Sequence, residues 1–106
     1  MKIRLIRNSL LAKLLRVDGI VLYPCMLFSE ERPSVKIINH ELIHIQQVRR
    51  DGVIRFYFNY LKEYTQFRLK GIQHKEAYLA ISYEVEAYSN QNNLTYTGLW
   101  STDLTA

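Results

Sequence analysis

A chain of 106 residues, 48% apolar and 23% charged, is long enough for one packed domain and too apolar for disorder. Its net charge of +4 comes without a block of like charges, so a solvated basic surface is the ordinary reading and a nucleic-acid partner is not expected. The single cysteine, Cys25, excludes an internal disulfide and fits a reducing, cytoplasmic setting.

The first residues, MKIRLIRNSLLAKLLRVDGIVLYPCMLFSEER, have the outline of a signal peptide but not its substance. Lys13, Arg16 and Asp18 interrupt the apolar run, and the longest uncharged stretch, Gly19 to Ser29, has 11 residues. That is too short to span a bilayer, so a soluble, intracellular protein without a transmembrane segment is expected. Ser9 is placed to cap a short helix carrying Leu10, Leu11, Leu14 and Leu15, ending near Asp18-Gly19. Ile20 to Phe28 is β-prone and broken by Pro24, which predicts one bent strand or a short hairpin at a sheet edge. Cys25, among apolar neighbours, reads as a small buried hydrophobe.

Ser34 can cap a helix from Val35 to Arg50, and Gly52 can stop it. A second helix is predicted from about Val53 to Lys70, with Gly71 as its stop. A loop or short helical turn covers 72 to 81. Ser82 can cap a third helix, about Tyr83 to Leu94, and the tail TYTGLWSTDLTA is irregular or a short strand. The whole is an α+β single domain, residues 1–106, with about three main helices and a short strand or hairpin element.

The first main helix contains His40-Glu41-Leu42-Ile43-His44, the pattern H-E-x-x-H. At 100° per residue, Ile37, Ile38, Leu42, Ile45 and Val48 form an apolar arc, with Lys36, Asn39, Gln46 and Arg50 opposite and Ile43 as the exception. Glu41 falls in the middle of that arc. A carboxylate there would cost several kcal/mol without a partner. His40 and His44 lie on the arc's edge, one turn apart, where two imidazoles can converge on one ion. Glu41 is rotated by about 100° from His40, too far to share the ion easily but able to reach a water on it. The spacing therefore predicts zinc on His40 and His44, with Glu41 as the base that takes a proton from water.

A catalytic zinc usually takes a third protein ligand. His74, in GIQHKEAY, lies among polar residues and reads as a solvated loop histidine. The segment SYEVEAYSN offers Glu84 and Glu86. The wheel puts Glu84 on one arc with Tyr83, Ala87, Tyr88, Gln91 and Leu94, and turns Glu86 to water. Glu84 is therefore the expected third ligand, and the small Ala87 would let the two helices approach. Its alternative is a first-turn carboxylate serving the helix dipole.

HELIH followed by E-V-E-A-Y resembles the gluzincin zinc metallopeptidases, and is most similar to the CAAX-prenyl-protease type and the small soluble minigluzincins. Their pattern is H-E-x-x-H, then E-x-x-A-D on a later helix. The resemblance implies His40, His44 and Glu84 as zinc ligands, Glu41 as the base, and a zincin-like fold that hydrolyses peptide bonds through water on zinc. The family's aspartate, which orients a metal-binding histidine, is Tyr88 here. Gln47, on the same side of the helix as the two histidines, is placed to help instead. Some minigluzincins hold a C-terminal segment in the cleft. That suggests a tail anchored by Trp100, paired with the Ile20–Phe28 edge and covering the zinc. The plain alternative is that Trp100 packs on the core.

RFYFNYLKEYTQFRLKG, residues 55 to 71, is aromatic nearly all round. It reads first as a core helix. A homo-oligomer contact or an interfacial membrane association are the alternatives, because Arg55, Lys62, Arg68 and Lys70 flank the rings. The expected partner is a peptide or protein substrate, which can pair with the edge strand in Ile20 to Phe28. Tyr64, Tyr83, Tyr88 and His74 are all conceivable oxyanion donors. The rival function is a catalytically silent zinc-binding scaffold acting as an interaction module.

Overall fold

The computed structural model describes residues 2–100 and the backbone of a short strand at Leu104–Thr105. In chain order the elements are β1 (Ile3–Ile6), α1 (Leu10–Leu14), β2 (Gly19–Leu22), β3 (Cys25–Phe28), α2 (Val35–Asp51), α3 (Val53–Leu69), α4 (His74–Ala80), α5 (Ser82–Asn90) and β4 (Leu104–Thr105). The fold is α+β, as expected, with more pieces than the sequence suggests. No helix among the described residues is long and apolar enough to cross a membrane.

The sheet runs in the order β2-β3-β1-β4. β1 pairs parallel with β3, Leu5 opposite Met26, and β2 pairs antiparallel with β3, Val21 opposite Met26. β1 is a strand that the sequence reading misses. Its four residues, IRLI, alternate buried Ile3 and Leu5 with outward Arg4 and Ile6, a period-two signal too short to stand out from the basic and apolar residues around it. Ile20 to Phe28 is a hairpin. β2 takes the sheet edge and β3 lies inside. Pro24 falls in the connection, where its missing N–H costs the ladder nothing, and its carbonyl accepts from Arg4 N–H at 3.0 Å.

α1 starts as expected, with Ser9 Oγ accepting from Ala12 N–H. It ends earlier than Asp18-Gly19. Arg16 turns left-handed at φ 56, and the N–H groups of Arg16 and Val17 reach back to the carbonyls of Lys13 and Ala12, which closes the helix at Leu15.

α2 is the axis of the domain. Ser34 caps it through Ile37 N–H, and Gly52, at φ 93, ends it. The amphipathic helix expected from the wheel is instead buried nearly all round from Ile38 to Val48, with only Gln46 half exposed. Asn39, assigned to the polar side, is fully buried, as is Ile43. The chain after α5 returns across this side and covers it. Asn39 Nδ2 donates to the carbonyls of Gln91 and Asn93 at 2.8 and 3.1 Å, and Asn39 Oδ1 accepts from Trp100 Nε1 at 2.9 Å.

Two apolar clusters flank α2. Ile3, Met26, Phe28, Leu42 and Ile45 pack between sheet and helix. Val48, Phe56, Ile81 and Tyr83 join α2 to α3 and α5. α3 is not the core helix expected of it. Only Phe56 is buried; Tyr57, Tyr60 and Tyr64 are half-buried, and Ile54, Phe58, Leu61 and Leu69 are exposed. The span 72 to 81, expected as a loop or short helical turn, contains a seven-residue helix.

Ser82 opens α5 from inside the helix instead of capping it. The carboxylate of Glu63, on α3, accepts from Ser82 N–H and Oγ at 2.8 and 2.9 Å, a cap delivered from a neighbouring helix. α5 ends at Asn90 rather than Leu94 because the chain turns there onto Asn39.

The tail corrects another expectation. β4 pairs with β1, Ile3 opposite Leu104, on the far edge of the sheet from the Ile20–Phe28 hairpin. Trp100 is half-buried against the cluster between sheet and α2. The other tail residues, 101–103 and 106, lie outside the described residues. Trp100 therefore serves as packing, and among the described residues the tail pairs with β1 and not with β2. Replacing Trp100 by Ala removes the ring and leaves Asn39 Oδ1 buried without its donor. The expected loss is roughly 2–4 kcal/mol, read by urea unfolding. A loss within about 0.5 kcal/mol, the range of an ordinary surface substitution, would show that the ring is not an anchor.

Candidate metal centre

The central helix carries His40 and His44 one turn apart, and the first turn of α5 brings Glu84 between them. His40 Nε2 stands 3.0 Å from Glu84 Oε1, and His44 Nε2 stands 3.1 Å from Glu84 Oε2. One donor atom from each of the three lies within 4.8 Å of the others. All three residues are buried, Glu84 to 2% exposure. The fully buried Ala87, one turn on from Glu84, puts no bulk between α2 and α5. The two carboxylates separate as the wheel requires, with one correction. Glu86 does not simply face water. It is half-buried and accepts from Gln47 Nε2, Tyr96 Oη and Arg50.

The protons on His44 are fixed by its neighbour. Gln47 Nε2 donates to Tyr83 O at 3.0 Å and to Glu86 Oε1 at 2.9 Å. Both partners accept only, so the amide nitrogen must face them and Gln47 Oε1 must face His44 Nδ1, at 2.8 Å. His44 Nδ1 therefore carries a proton, and in the neutral ring Nε2 is a lone pair aimed at Glu84. At His40 the same place is taken by Gln91, whose Oε1 lies 2.9 Å from Nδ1. Tyr88, which stands where the gluzincin pattern has aspartate, touches His40 through its ring, centroids 4.5 Å apart. Two amides, not a carboxylate, orient these imidazoles.

A carboxylate facing two nitrogen lone pairs at 3 Å is repulsive unless a cation lies among them. A proton can fill that role. Burial alone would lower the His44 pKa, but the hydrogen bond to Glu84 and the charges of Glu41 and Glu84 outweigh it and push it up to about 9. Burial likewise opposes ionised Glu84, and the bonds from His40, His44 and Tyr60 outweigh it and hold its pKa well below the ordinary value. A metal fits the same place. Donors on a tetrahedral zinc with bonds near 2.0–2.1 Å lie about 3.4 Å apart; each imidazole is at 3.0 or 3.1 Å from one carboxylate oxygen, and the three-donor set spans up to 4.8 Å, so small side-chain shifts would close it on an ion. The donor set, two imidazoles and one carboxylate, is one that suits zinc.

Glu41 lies at 7% exposure on the wall of a cavity of about 260 Å³, shared with His44 and Glu84. Burial raises its pKa, with the charges of His44 and His40 pulling the other way. β2 forms the facing wall. A Cβ on Gly19 would stand 3.0 Å from the Phe28 ring and 3.1 Å from Glu41 Cγ, so only glycine lets the strand close over the stem of Glu41. The β2 edge is partly engaged already. Tyr57 Oη donates to Val21 O at 2.8 Å and accepts from Tyr23 N–H at 3.2 Å.

The sequence-stated oxyanion candidates do not line this cavity. Tyr64 and His74 bond each other at 2.8 Å, Tyr83 donates to Asp51 at 2.7 Å, and Tyr88 packs on His40. Tyr60 and Tyr78 line it instead. Tyr60 Oη donates to Glu84 Oε2 at 2.5 Å. Burial and the Glu84 charge raise both phenols, keeping them protonated as donors. No sequence signal separates Tyr60 and Tyr78 from the other tyrosines. Gln91 shares an arc with Glu84 on the wheel, and that was the available hint.

The metal-free protein should lose stability on the alkaline side. His44, raised from 6.5 to about 9, contributes stability fully present below pH 6.5 and lost as pH rises through 9. Glu41, raised by burial, acts in the same direction. Glu84, lowered from 4.5, contributes stability present above pH 4.5 and lost on acidification. Urea midpoints of chelated protein should therefore fall between pH 6.5 and 9. Apparent zinc affinity should rise over the same range, because the ion displaces a proton. A flat midpoint would remove the protonated His44–Glu84 pair. Gln47→Leu, which withdraws the acceptor from His44 Nδ1, should weaken zinc binding by roughly 10–100-fold, measured by competition with a chromogenic chelator; parental affinity would show that Gln47 does not set the ligand.

No family model, curated protein or solved structure matches this chain, so the chemistry of the centre is read from its own side chains.

Proposed function

We propose that the chain is a zinc-dependent peptidase of gluzincin type, with His40, His44 and Glu84 as ligands and Glu41 as the general base. The observation that carries this reading is the convergence of two imidazoles and one carboxylate within 4.8 Å beside a second carboxyl group, Glu41, that is not among them and opens on the cavity. Zinc, when bound, supplies a Lewis acid that polarises a carbonyl and lowers the pKa of water toward about 7.

The remaining work falls to the chain's own groups. Glu41 takes a proton from the attacking water and passes it to the departing amine as the C–N bond breaks. Its raised pKa brings it nearer the value at which a carboxyl both accepts and returns a proton at neutral pH. Tyr60 holds the Glu84 carboxylate at 2.5 Å. Tyr78, on the same cavity and kept protonated by burial, is the donor assigned to the developing oxyanion. About 260 Å³ is small beside the 300–1,000 Å³ common for ligand sites, which suits one or two side chains of an extended peptide. Phe56, Tyr57 and Tyr60 on the wall favour apolar ones.

A second reading, a catalytically silent zinc scaffold that binds a partner, is favoured by one observation. Tyr57 Oη already bonds Val21 O and Tyr23 N–H on the β2 edge, where an extended substrate would otherwise pair.

The two readings separate on a few variants. Glu41→Gln should keep zinc and the fold while losing at least about a hundredfold in cleavage of a mixed peptide library. Glu84→Gln should lose the metal, and Glu86→Gln should keep it. Zinc retained by Glu84→Gln but lost by Glu86→Gln would exchange their roles. Stoichiometric zinc with no cleavage by the parent would leave the scaffold reading.

A further inference from the structure

Helix α3 has two apolar faces, and among the described residues only one has a partner. The inner face places Phe56, Tyr57 and Tyr60 against the site and the core. On the outer face Ile54, Phe58, Leu61 and Leu69 are 85%, 64%, 65% and 83% exposed. Their spacing, with Thr65 between, draws one line along a helix of 17 residues, about 25 Å long. So continuous an exposed apolar stripe marks a surface that meets something apolar.

The charges beside the stripe say what. Arg55 and Lys62 flank it on one side and Arg68 on the other by the helical wheel, and Lys70 follows the last turn. The one acid of the helix, Glu63, faces away and caps α5 through Ser82. Lys62 Nζ stands over the Phe58 ring at 5.9 Å from its centre, which keeps a positive charge beside the stripe. We propose that the outer face of α3 docks on a bilayer rich in anionic phospholipid. Its apolar line reaches the acyl boundary and its arginines and lysines meet the headgroups.

A second copy of the chain fits this face poorly. A two-fold pairing of stripe on stripe would bring the basic flanks of one helix against the basic flanks of the other, while the nearby acids are already engaged, Glu63 with Ser82 and Asp51 with Arg50 and Tyr83. The proposal does not rest on the metal centre and can fail while that centre stands. If both hold, the helix that walls the cavity also fixes its position at the membrane surface.

The full chain is sedimented with phosphatidylcholine vesicles carrying about one-third phosphatidylglycerol, and with pure phosphatidylcholine. The expected result is at least about tenfold tighter binding to the anionic vesicles, weakening as salt rises from about 0.1 to 0.5 M. Phe58→Glu with Leu61→Glu should reduce that binding by at least about tenfold, with helical circular dichroism unchanged because both side chains are exposed. Lys62→Glu with Arg68→Glu should do the same without touching the stripe. Three outcomes overturn the proposal. One is equal binding to both vesicle types. Another is loss of binding only in Leu10→Glu with Leu14→Glu, which moves the contact to the exposed leucines of α1. The third is lipid-free self-association that Phe58→Glu abolishes, which makes a second copy the occupant.

Discussion

One carboxylate between two imidazoles, 3.0 and 3.1 Å away inside an apolar domain, sets the terms for the rest of the molecule. Such a group is costly to bury and adds little to stability even when paired. It also cannot tolerate the two rings as bare lone pairs; a ring proton or a cation must lie between. The domain keeps Glu84 ionised in this place through hydrogen bonds from His40, His44 and Tyr60. An arrangement retained against its own desolvation cost, beside a cavity, is what a binding or reactive centre looks like in physical terms.

The position of α2 follows from that constraint. Its buried polar residues divide the labour. His40 and His44 aim at Glu84, Gln47 fixes a ring and ties it to α5, and Asn39 holds the returning chain at Gln91, Asn93 and Trp100. Apart from the Gln47–His44 bond inside α2, these contacts span from α2 to the segment 83–100, so the histidine–glutamate cluster and most of its supports come from the same two pieces of chain, with Tyr60 of α3 added. No buried side-chain polar atom among the described residues lacks a partner, which is the condition for placing so many polar groups in a small core. α3 then closes the centre with rings on one face and, through Glu63, caps the very helix that supplies Glu84.

Much of the centre was legible in the sequence because helical geometry is local. The i, i+4 spacing put His40 and His44 on one side, and the wheel turned Glu84, not Glu86, toward them, where it stands within 4.8 Å of both. Caps at Ser34 and Gly52 bounded α2 within a residue. What failed was everything that depends on a distant covering segment. Asn39 looked solvent-facing because nothing local announces that residues 91–100 return over it. α3 looked like a core helix because aromatic content does not say which rings meet a partner. Gly19 read as the end of the first short helix, although it opens β2 and its role is set by Phe28 and Glu41 from two other elements. β1 and β4 pair across more than ninety residues of chain, Ile3 with Leu104, and four-residue strands carry too little periodicity to predict such a pairing.

The substitution of amides for a carboxylate behind the histidines has an electrostatic consequence. A carboxylate on an imidazole Nδ1–H pulls the ring toward its anion and makes it a stronger donor, whereas a neutral amide orients the ring without adding charge. Here Gln47 and Gln91 hold both rings, so the negative charge near the ligand atoms is limited to Glu84 and Glu41. A divalent ion with these two carboxylates balances to neutrality inside a largely apolar cavity. One more carboxylate would leave a net negative site, which the surroundings could solvate only poorly. Tyr88 fits this balance, since it fills the space beside His40 with a ring and no charge. Weaker donors leave more of the ion's charge for a polarised carbonyl, so the same change that lowers metal affinity favours Lewis acidity. A centre whose imidazoles are held by amides and not by a carboxylate is therefore compatible with Lewis-acid chemistry on a bound ion, provided that the amides keep the rings in place.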